Sequence, residues 1–339
     1  MTYRLLVGAV ASLMALSSLA QTLPDAAKAG KASTSKKWIA PRTPDGHPDL
    51  QGIWSNAIIT PLERPSELEG KPFLNEEEAS AYEKQVVQRN DVDRRQNLTK
   101  ENDVARAYNE AWYDRGTKTA KTRRTSLIVD PADGRIPQLT PAAQKRMADL
   151  AEARRLHPAD GPEDRTLGER CILMNNEGPP MVPGPYNNNY QIVQTPTSVV
   201  IVNEMIHDTR TIPLDGRPHL PPTVRQWRGD SVGHWEGDTL VVDTTNFTDR
   251  ANFRGSGKDL HLTERFTRVD ADTLMYQFTV DDPASFARPW TAVIPSTKTE
   301  GPIFEYACNE GNYGMLGILS AARAEEKTAA AKNSTRDSK

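Results

Sequence analysis

The sequence has few cysteines, few aromatic residues and almost no excess of charge. Only 2 of its 339 residues are Cys, and two lone Cys do not resemble a zinc finger. There are 42 basic and 45 acidic residues, which excludes a strongly basic nucleic-acid-binding protein. A glycine-rich phosphate loop and a Cys-x-x-Cys motif are missing. These absences argue against nucleotide chemistry and disulfide exchange.

The N-terminus has the layout of a secretory signal peptide. A single charge at Arg4 precedes an apolar run from Leu5 to Leu16, and the segment ends in small residues at Ala20. The run is too short to cross a bilayer of about 30 Å, so no membrane span is expected. We predict a signal peptide over residues 1–20 and a periplasmic or extracellular protein. A buried N-terminal helix is the alternative.

The two cysteines, Cys171 and Cys308, are predicted to form a disulfide. In an oxidising compartment a pair of Cys is more often bridged than free. In the chain-entropy model, a loop as long as this one stabilises the fold by about 4–5 kcal/mol. Two unrelated buried thiols are the alternative.

The chain changes character near its middle, between a flexible lead-in at 21–40 and a flexible tail at 325–339. The N-terminal region, 41–160, is predicted to be helical with irregular links. Its three predicted helices cover residues 75–89, 103–115 and 140–156. The first begins with a capping box formed by Asn75 and Glu78.

The C-terminal region, 161–324, is predicted to be β-rich, because short runs of alternating apolar and polar residues are separated by turns. The predicted strands are Tyr190–Thr195, Ser198–Ile206, Thr239–Phe247, Leu260–Val269, Thr273–Asp281, Trp290–Ile294 and Ile303–Cys308. They indicate an antiparallel barrel or sandwich, and we favour a barrel-like sheet. The predicted fold class is α+β, with the helical N-terminal half packed on the sheet.

The segment 175–189 fits neither a helix nor a strand. It contains five Asn, four Pro and two Gly, which require fixed or left-handed backbone conformations. We expect an ordered loop that is either the rim of a binding site or a wrap over the surface. As a rim, it would contact a ligand through Tyr186 and Asn189.

Histidines cluster in the β-rich region, which contains four of the six in the chain. Histidine transfers protons and binds metals at neutral pH. His207 and His234 are therefore candidate catalytic residues, and together with His261 they are candidate ligands of a divalent metal. Hydrogen-bonded histidines at the ends of strands are the alternative.

Two carboxylates are predicted to face the core. Residues two apart share a face of a strand, which aligns Glu264 with Leu262 and aligns Glu204 with Val202. A carboxylate that faces a core must be paired, metal-bound or protonated. Glu204 and Glu264 are therefore candidate acid–base residues, with Arg210 steadying an anionic group of the ligand. Structural Arg–Glu pairing is the alternative.

Several strings of residues carry a family resemblance. Residues 44–54 read PDGHPDLQGIW, 207–210 read HDTR, 234–242 read HWEGDTLVV and 305–313 read EYACNEGNY. With these strings, residues 41–322 resemble a large uncharacterised family of exported proteins that is abundant in soil bacteria. The resemblance implies secretion and a shared fold, but no particular reaction. His often stands in that family where this chain has Asn309. This difference argues against a metal site that includes position 309.

The favoured function is an exported protein with a central pocket for a small organic or carbohydrate ligand, which Trp235 helps to contact. Acid–base or metal-assisted turnover of that ligand is open. One alternative is a non-catalytic envelope protein that binds or has a structural role. Another is a metal-dependent hydrolase of a polymer, with an open groove lined by Trp235 and Trp290. No nucleic-acid partner is expected.

Overall fold

The structure is a computed structural model. It describes residues 38–94, 99, 109–174, 176–250 and 253–337. The predicted signal peptide over 1–20 and most of the lead-in over 21–40 lie outside the described residues. So does most of the helix predicted over 103–115, whose described end forms only a 3-10 turn at Glu110–Trp112.

Ten strands of the described residues form one large sheet. They are β1 (Gly52–Ser55), β2 (Ile128–Asp130), β3 (Asn189–Gln194), β4 (Ser198–Asn203), β5 (Thr209–Pro213), β6 (Asp230–Glu236), β7 (Thr239–Thr245), β8 (His261–Arg268), β9 (Thr273–Asp281) and β10 (Trp290–Thr299). Their order across the sheet is β5-β4-β3-β1-β10-β9-β8-β7-β6, and β2 pairs with β10 beside this path. Every ladder is antiparallel, so the predicted antiparallel sheet is confirmed.

The hairpin between β6 and β7 shows how turn residues set the register. Glu236 pairs with Thr239, so the loop contains only Gly237 and Asp238. Gly237 has a φ of 59°, and the two tight hairpin turns that suit twisted strands both need a positive φ at this position. Glycine adopts that conformation without steric cost.

The sheet does not close into a barrel among the described residues, because its edge strands β5 and β6 form no ladder with each other. Nine strands follow one another along the path in antiparallel pairs, so the two edge strands point in the same direction. Parallel strands need a crossover connection, and residues 214–229 provide it. The prediction of a barrel-like sheet is therefore wrong, and a sandwich-like description fits better.

The inner face of the sheet is filled by side chains. In β8, Leu262, Glu264 and Phe266 are fully buried and alternate with half-buried residues. Large aromatic side chains occupy the same core: Trp54, Tyr190, Tyr276, Phe278, Phe286 and Trp290. These side chains pack this face of the sheet as a hydrophobic core.

Among the described residues, three helices accompany the sheet: α1 (Glu76–Asn90), α2 (Pro141–Leu156) and α3 (Tyr313–Asp337). The capping box of α1 is present, since the Glu78 backbone N–H donates to Asn75 Oδ1 at 2.8 Å and the Asn75 N–H donates to Glu78 Oε2 at 2.9 Å. The N-terminal region nevertheless contributes β1 and β2 to the sheet. The prediction of a helical N-terminal half is therefore not supported.

Near the C-terminus, one predicted strand is wrong and the predicted flexible tail is helical. Residues 303–308 form no strand, and the tail predicted to be flexible from residue 325 continues helix α3. The tail is rich in Ala, Glu and Lys, which have high intrinsic helix propensity.

The predicted disulfide is confirmed. Cys171 and Cys308 are bonded, with their Cα atoms 5.7 Å apart and a sequence separation of 137. The bond joins the segment that follows α2 to the segment that precedes α3. No helix within the described ranges is both long and apolar enough to cross a membrane.

Candidate functional site

The candidate site is the cleft between the edge strands β5 and β6, together with the crossover 214–229 that connects them. We call it the β5–β6 cleft. Its cavity measures about 570 Å³, which is within the size range of small-molecule pockets. Its charged and aromatic lining residues are Arg210, Arg217, Arg225, Trp227, Arg228 and Asp230. Four guanidinium groups in one cavity favour contact with an anionic ligand.

Arg210 connects the cleft to the core of the sheet. Its Nη1 and Nη2 donate to Glu264 Oε2 and Oε1 at 2.5 and 3.0 Å. Tyr276 Oη donates to Glu264 Oε1 at 2.7 Å and accepts the Met181 N–H at 3.0 Å. Of the two predicted roles for Glu264, this geometry supports the structural Arg–Glu pair.

The pKa values around this pair follow from burial and charge. Burial lowers the pKa of Arg210, but the Glu264 carboxylate outweighs that effect and leaves the pKa raised. Burial, together with the negative charge of Glu264, raises the pKa of the Tyr276 hydroxyl. Arg210 therefore stays charged and Tyr276 stays neutral, so the pair is a fixed feature of the cleft.

Arg228 holds two further carboxylates behind the cleft. Its Nη2 donates to Glu177 Oε1 at 2.5 Å, and its Nε lies 2.5 Å from Asp208 Oδ2. The Glu177 side chain is fully buried, and its Oε2 has no hydrogen-bond partner among the described residues. Burial raises the pKa of Glu177 to about 7 despite the opposing charge of Arg228, and it also raises the pKa of Asp208. Glu177 can therefore gain or lose a proton near neutral pH.

The turn that delivers Asp208 to Arg228 has an unusual backbone. Ile206 and His207 have φ values of 58° and 56°, in the left-handed region that β-branched residues rarely adopt. Residues kept in such conformations cluster at functional sites. This turn therefore adds a second reason to regard the end of β5 as part of the site.

Arg225 differs from the other three arginines of the cleft. Its Nη1 donates to the carbonyl oxygens of Phe247 and Lys258 at 2.9 and 2.6 Å, and it has no carboxylate partner in the described ranges. Arg217, in contrast, is neutralised by Asp215, with Nη2 and Oδ2 2.6 Å apart. No carboxylate of the described residues therefore balances the charge of the Arg225 guanidinium, which can interact with a ligand.

Asp230 links the cleft to a pair of histidines on the outer face of the sheet. His219 places Nδ1 at 2.9 Å from Asp230 Oδ2 and Nε2 at 2.8 Å from Asp243 Oδ1. His261 Nε2 lies 2.5 Å from the other oxygen of Asp243. Burial lowers the pKa of His219, but the hydrogen bonds to the two carboxylates outweigh it, and the pKa is raised. Both nitrogens of His219 then donate, which fastens the crossover 214–229 to the sheet.

The face predicted for Glu204 is wrong. β4 buries Val199 and Ile201, not Val202, and it ends before Glu204. Glu204 is buried in the following turn, where it accepts hydrogen bonds from Asn189 Nδ2 at 2.8 Å and from the Phe304 N–H at 3.2 Å. Glu204 and Asn189 therefore contact each other, but they do not share hydrogen-bond partners with Glu264.

The three histidines of the predicted metal site are not assembled. His207 is exposed in the turn after β4, His234 contacts Glu236 at 3.1 Å, and His261 contacts Asp243. Within the part of the chain that the structure describes, no group of three or more His, Cys, Asp or Glu is positioned to hold a metal ion. The structure therefore does not bring His207, His234 and His261 together as one metal site.

The predicted aromatic contacts lie outside the cleft. Trp235 stacks on His47 with ring centroids 5.0 Å apart, and Trp290 is fully buried in the core. Tyr186 packs near Tyr113 at 6.4 Å. The open groove lined by Trp235 and Trp290 is not found, and Trp227 is the tryptophan that lines the cleft.

Residues 229–233 read GDSVG and match the nucleophile-elbow motif of serine hydrolases. The motif requires a sharp turn between a strand and a helix, but these residues run into strand β6. Ser231 Oγ is 2.9 Å from Thr244 Oγ1, and the nearby His219 is occupied by two carboxylates. The match is therefore not a catalytic serine.

Sequence reasoning missed Glu177, Asp208, Arg225 and Arg228. Asp208 adjoins the predicted His207, and Glu177 lies in the loop that was expected to be a binding-site rim. The spacing of these residues in the sequence does not predict the site, because they come together only when the sheet folds and leaves its two edges open. No family model, no curated protein and no solved structure matches the chain.

Proposed function

We propose that the protein is exported and binds a small organic or carbohydrate ligand with an acidic group in the β5–β6 cleft. The observation that carries this proposal is the Arg225 guanidinium, which lines the cavity without a carboxylate partner among the described residues. A planar guanidinium binds a carboxylate through two parallel hydrogen bonds.

The remainder of the lining suits such a ligand. Trp227 offers an aromatic surface on which an apolar face of a sugar or an organic ring can rest. Arg210 and Arg228 are held by buried carboxylates, so they present fixed donors that need little ordering on binding. Export is supported by the disulfide and by the resemblance to an exported family.

The test is a comparison of acidic ligands with their neutral counterparts. Sugar acids such as galacturonate, and small organic acids, are titrated calorimetrically against the mature protein, each beside its neutral alcohol or sugar. We expect acidic members to bind, and Arg225→Ala to weaken them about tenfold or more, since a charge-assisted hydrogen bond contributes about 1.5–3 kcal/mol.

The matched control is Arg265→Ala, a partly exposed arginine on β8 that does not line the cleft. It should leave binding unchanged. Equal binding of acidic and neutral members, or equal loss in the two variants, would contradict the proposal. Failure of every acid to bind would favour the envelope-structural alternative.

Acid–base turnover of the same ligand is a second candidate, and Glu177 is the observation that favours it. Its carboxyl is buried behind Arg228, has one oxygen without a described partner and has a pKa of about 7. Groups with pKa values near the working pH are the effective proton carriers. Turnover would then show an apparent pKa near 7 that Glu177→Gln removes, with ligand binding retained.

A further inference from the structure

A second cavity lies beside helix α2, and we call it the α2 groove. It measures about 500 Å³ and has no lining residue in common with the β5–β6 cleft. Its apolar lining consists of Met147, Leu150, Leu167, Leu173, Met174 and Phe253. Leu150 is 36% exposed although it is a large aliphatic residue. An apolar concavity of this size suits one small molecule.

Three arginines surround this apolar lining. Arg154, Arg250 and Arg254 line the groove, and all three are exposed. None of them makes an ion pair with a carboxylate of the described residues, whereas neighbouring Arg155 is bound by Glu152 at 2.8 Å. The lining contains no Asp or Glu. The groove therefore combines an apolar floor with positive charge that the described chain does not neutralise.

We propose that the α2 groove binds a small amphipathic carboxylate, with its apolar body against Leu150, Met174 and Phe253 and its carboxylate on the arginines. Burial of the apolar body supplies non-directional affinity in proportion to the area covered. Methionine side chains adapt to differently shaped apolar bodies. The guanidinium groups select the carboxylate, because a fork of N–H donors fits its two oxygens.

The charge pattern distinguishes this occupant from others. A neutral apolar compound would leave three guanidinium groups without counter-charge at the rim, and a short polar acid would leave the apolar floor exposed to water. Only a molecule that has both an apolar body and an acid group satisfies both parts of the groove. This site is independent of the ligand proposed for the β5–β6 cleft.

The test uses decanoate as the probe, with decanol as its neutral counterpart and butyrate as its short counterpart. Binding to the mature protein is measured by calorimetry and by displacement of the fluorescent anion ANS. We expect decanoate to bind at least about tenfold more tightly than either counterpart, since a charge-assisted pair and the buried chain both contribute. Failure of decanoate to bind, or equal binding of decanol, would overturn the proposal.

Adjacent residues of α2 provide matched controls. Arg154→Ala should weaken decanoate about tenfold and leave decanol unchanged, whereas Arg155→Ala should change neither. Leu150→Ser should weaken both probes, whereas Leu156→Ser, at an exposed position outside the groove, should not. Equal effects within either pair of variants refute the assignment. Arg154→Gln replaces the alanine variant if thermal unfolding shows that the latter is misfolded.

Discussion

Removal of one partner from the buried pair Arg210–Glu264 is predicted to destabilise the fold strongly. Glu264 is fully buried, so Arg210→Met leaves a carboxylate that water cannot reach and costs about 3–5 kcal/mol. Glu264→Leu leaves a guanidinium that borders the β5–β6 cleft and can turn toward water. We expect Glu264→Leu to lower the free energy of unfolding by less, about 2–3 kcal/mol. The reason is that the charged hydrogen bonds to Arg210 and the acceptor of the Tyr276 hydroxyl are lost.

The double variant Arg210→Met/Glu264→Leu is the decisive measurement. Two apolar side chains leave no uncompensated charge, so the remaining cost is the Tyr276 hydroxyl without an acceptor, about 1–3 kcal/mol. The double variant should therefore be more stable than Arg210→Met alone. Such rescue is the signature of two groups that interact directly.

Urea unfolding followed by circular dichroism measures these differences, provided that the denaturant slope stays constant across the variants. Arg265→Met is the control on the same strand, because its partner Glu236 is exposed and such surface pairs contribute about 0–1 kcal/mol. Additive losses in the double variant would refute the argument, since they would show that neither group depends on the other.

Three further predictions concern other parts of the molecule. Replacing Cys171 and Cys308 by Ser should lower the free energy of unfolding by about 4–5 kcal/mol, measured beside the reduced wild type. His219→Ala should flatten the pH dependence of stability at pH values above the ordinary histidine pKa of 6.5. The raised pKa of His219 gives stability that is complete below its unfolded pKa and is lost as pH rises through the folded pKa, so an unchanged slope in pH-dependent thermal unfolding would contradict this. Gly233→Ala should cost about 1–3 kcal/mol in urea unfolding, because its Cβ would lie 2.8 Å from Cγ2 of buried Ile212.

The two carboxylates show how far the sequence could predict the site. β8 alternates apolar and polar residues, so the inward face of Glu264 could be predicted from period two. β4 is a continuous apolar run from Val199 to Val202. Such a run has no alternation of apolar and polar residues that would show which face is buried, so the face predicted for Glu204 is shifted by one residue. The identity of Arg210 as the partner depends on contacts across the sheet, which spacing along the chain does not contain.

The helices, too, could be predicted only in part from the sequence. Capping residues such as Asn75 and Thr140 mark the starts of α1 and α2, and those starts could be predicted from local chemistry. The composition of the tail predicts flexibility, whereas the high helix propensity of its Ala, Glu and Lys residues fits the continuation of α3.

The position of the β5–β6 cleft follows from the number of strands. Nine strands in antiparallel succession leave two edges that point the same way, and a two-residue hairpin cannot connect such strands. The chain must therefore cross from one edge to the other, and the crossover 214–229 brings Arg217, Arg225, Trp227 and Arg228 to the opening. An even number of strands would give antiparallel edges that a hairpin could join, and the crossover would not be needed. The site thus depends on the topology of the sheet, which explains why its residues form no compact motif in the sequence.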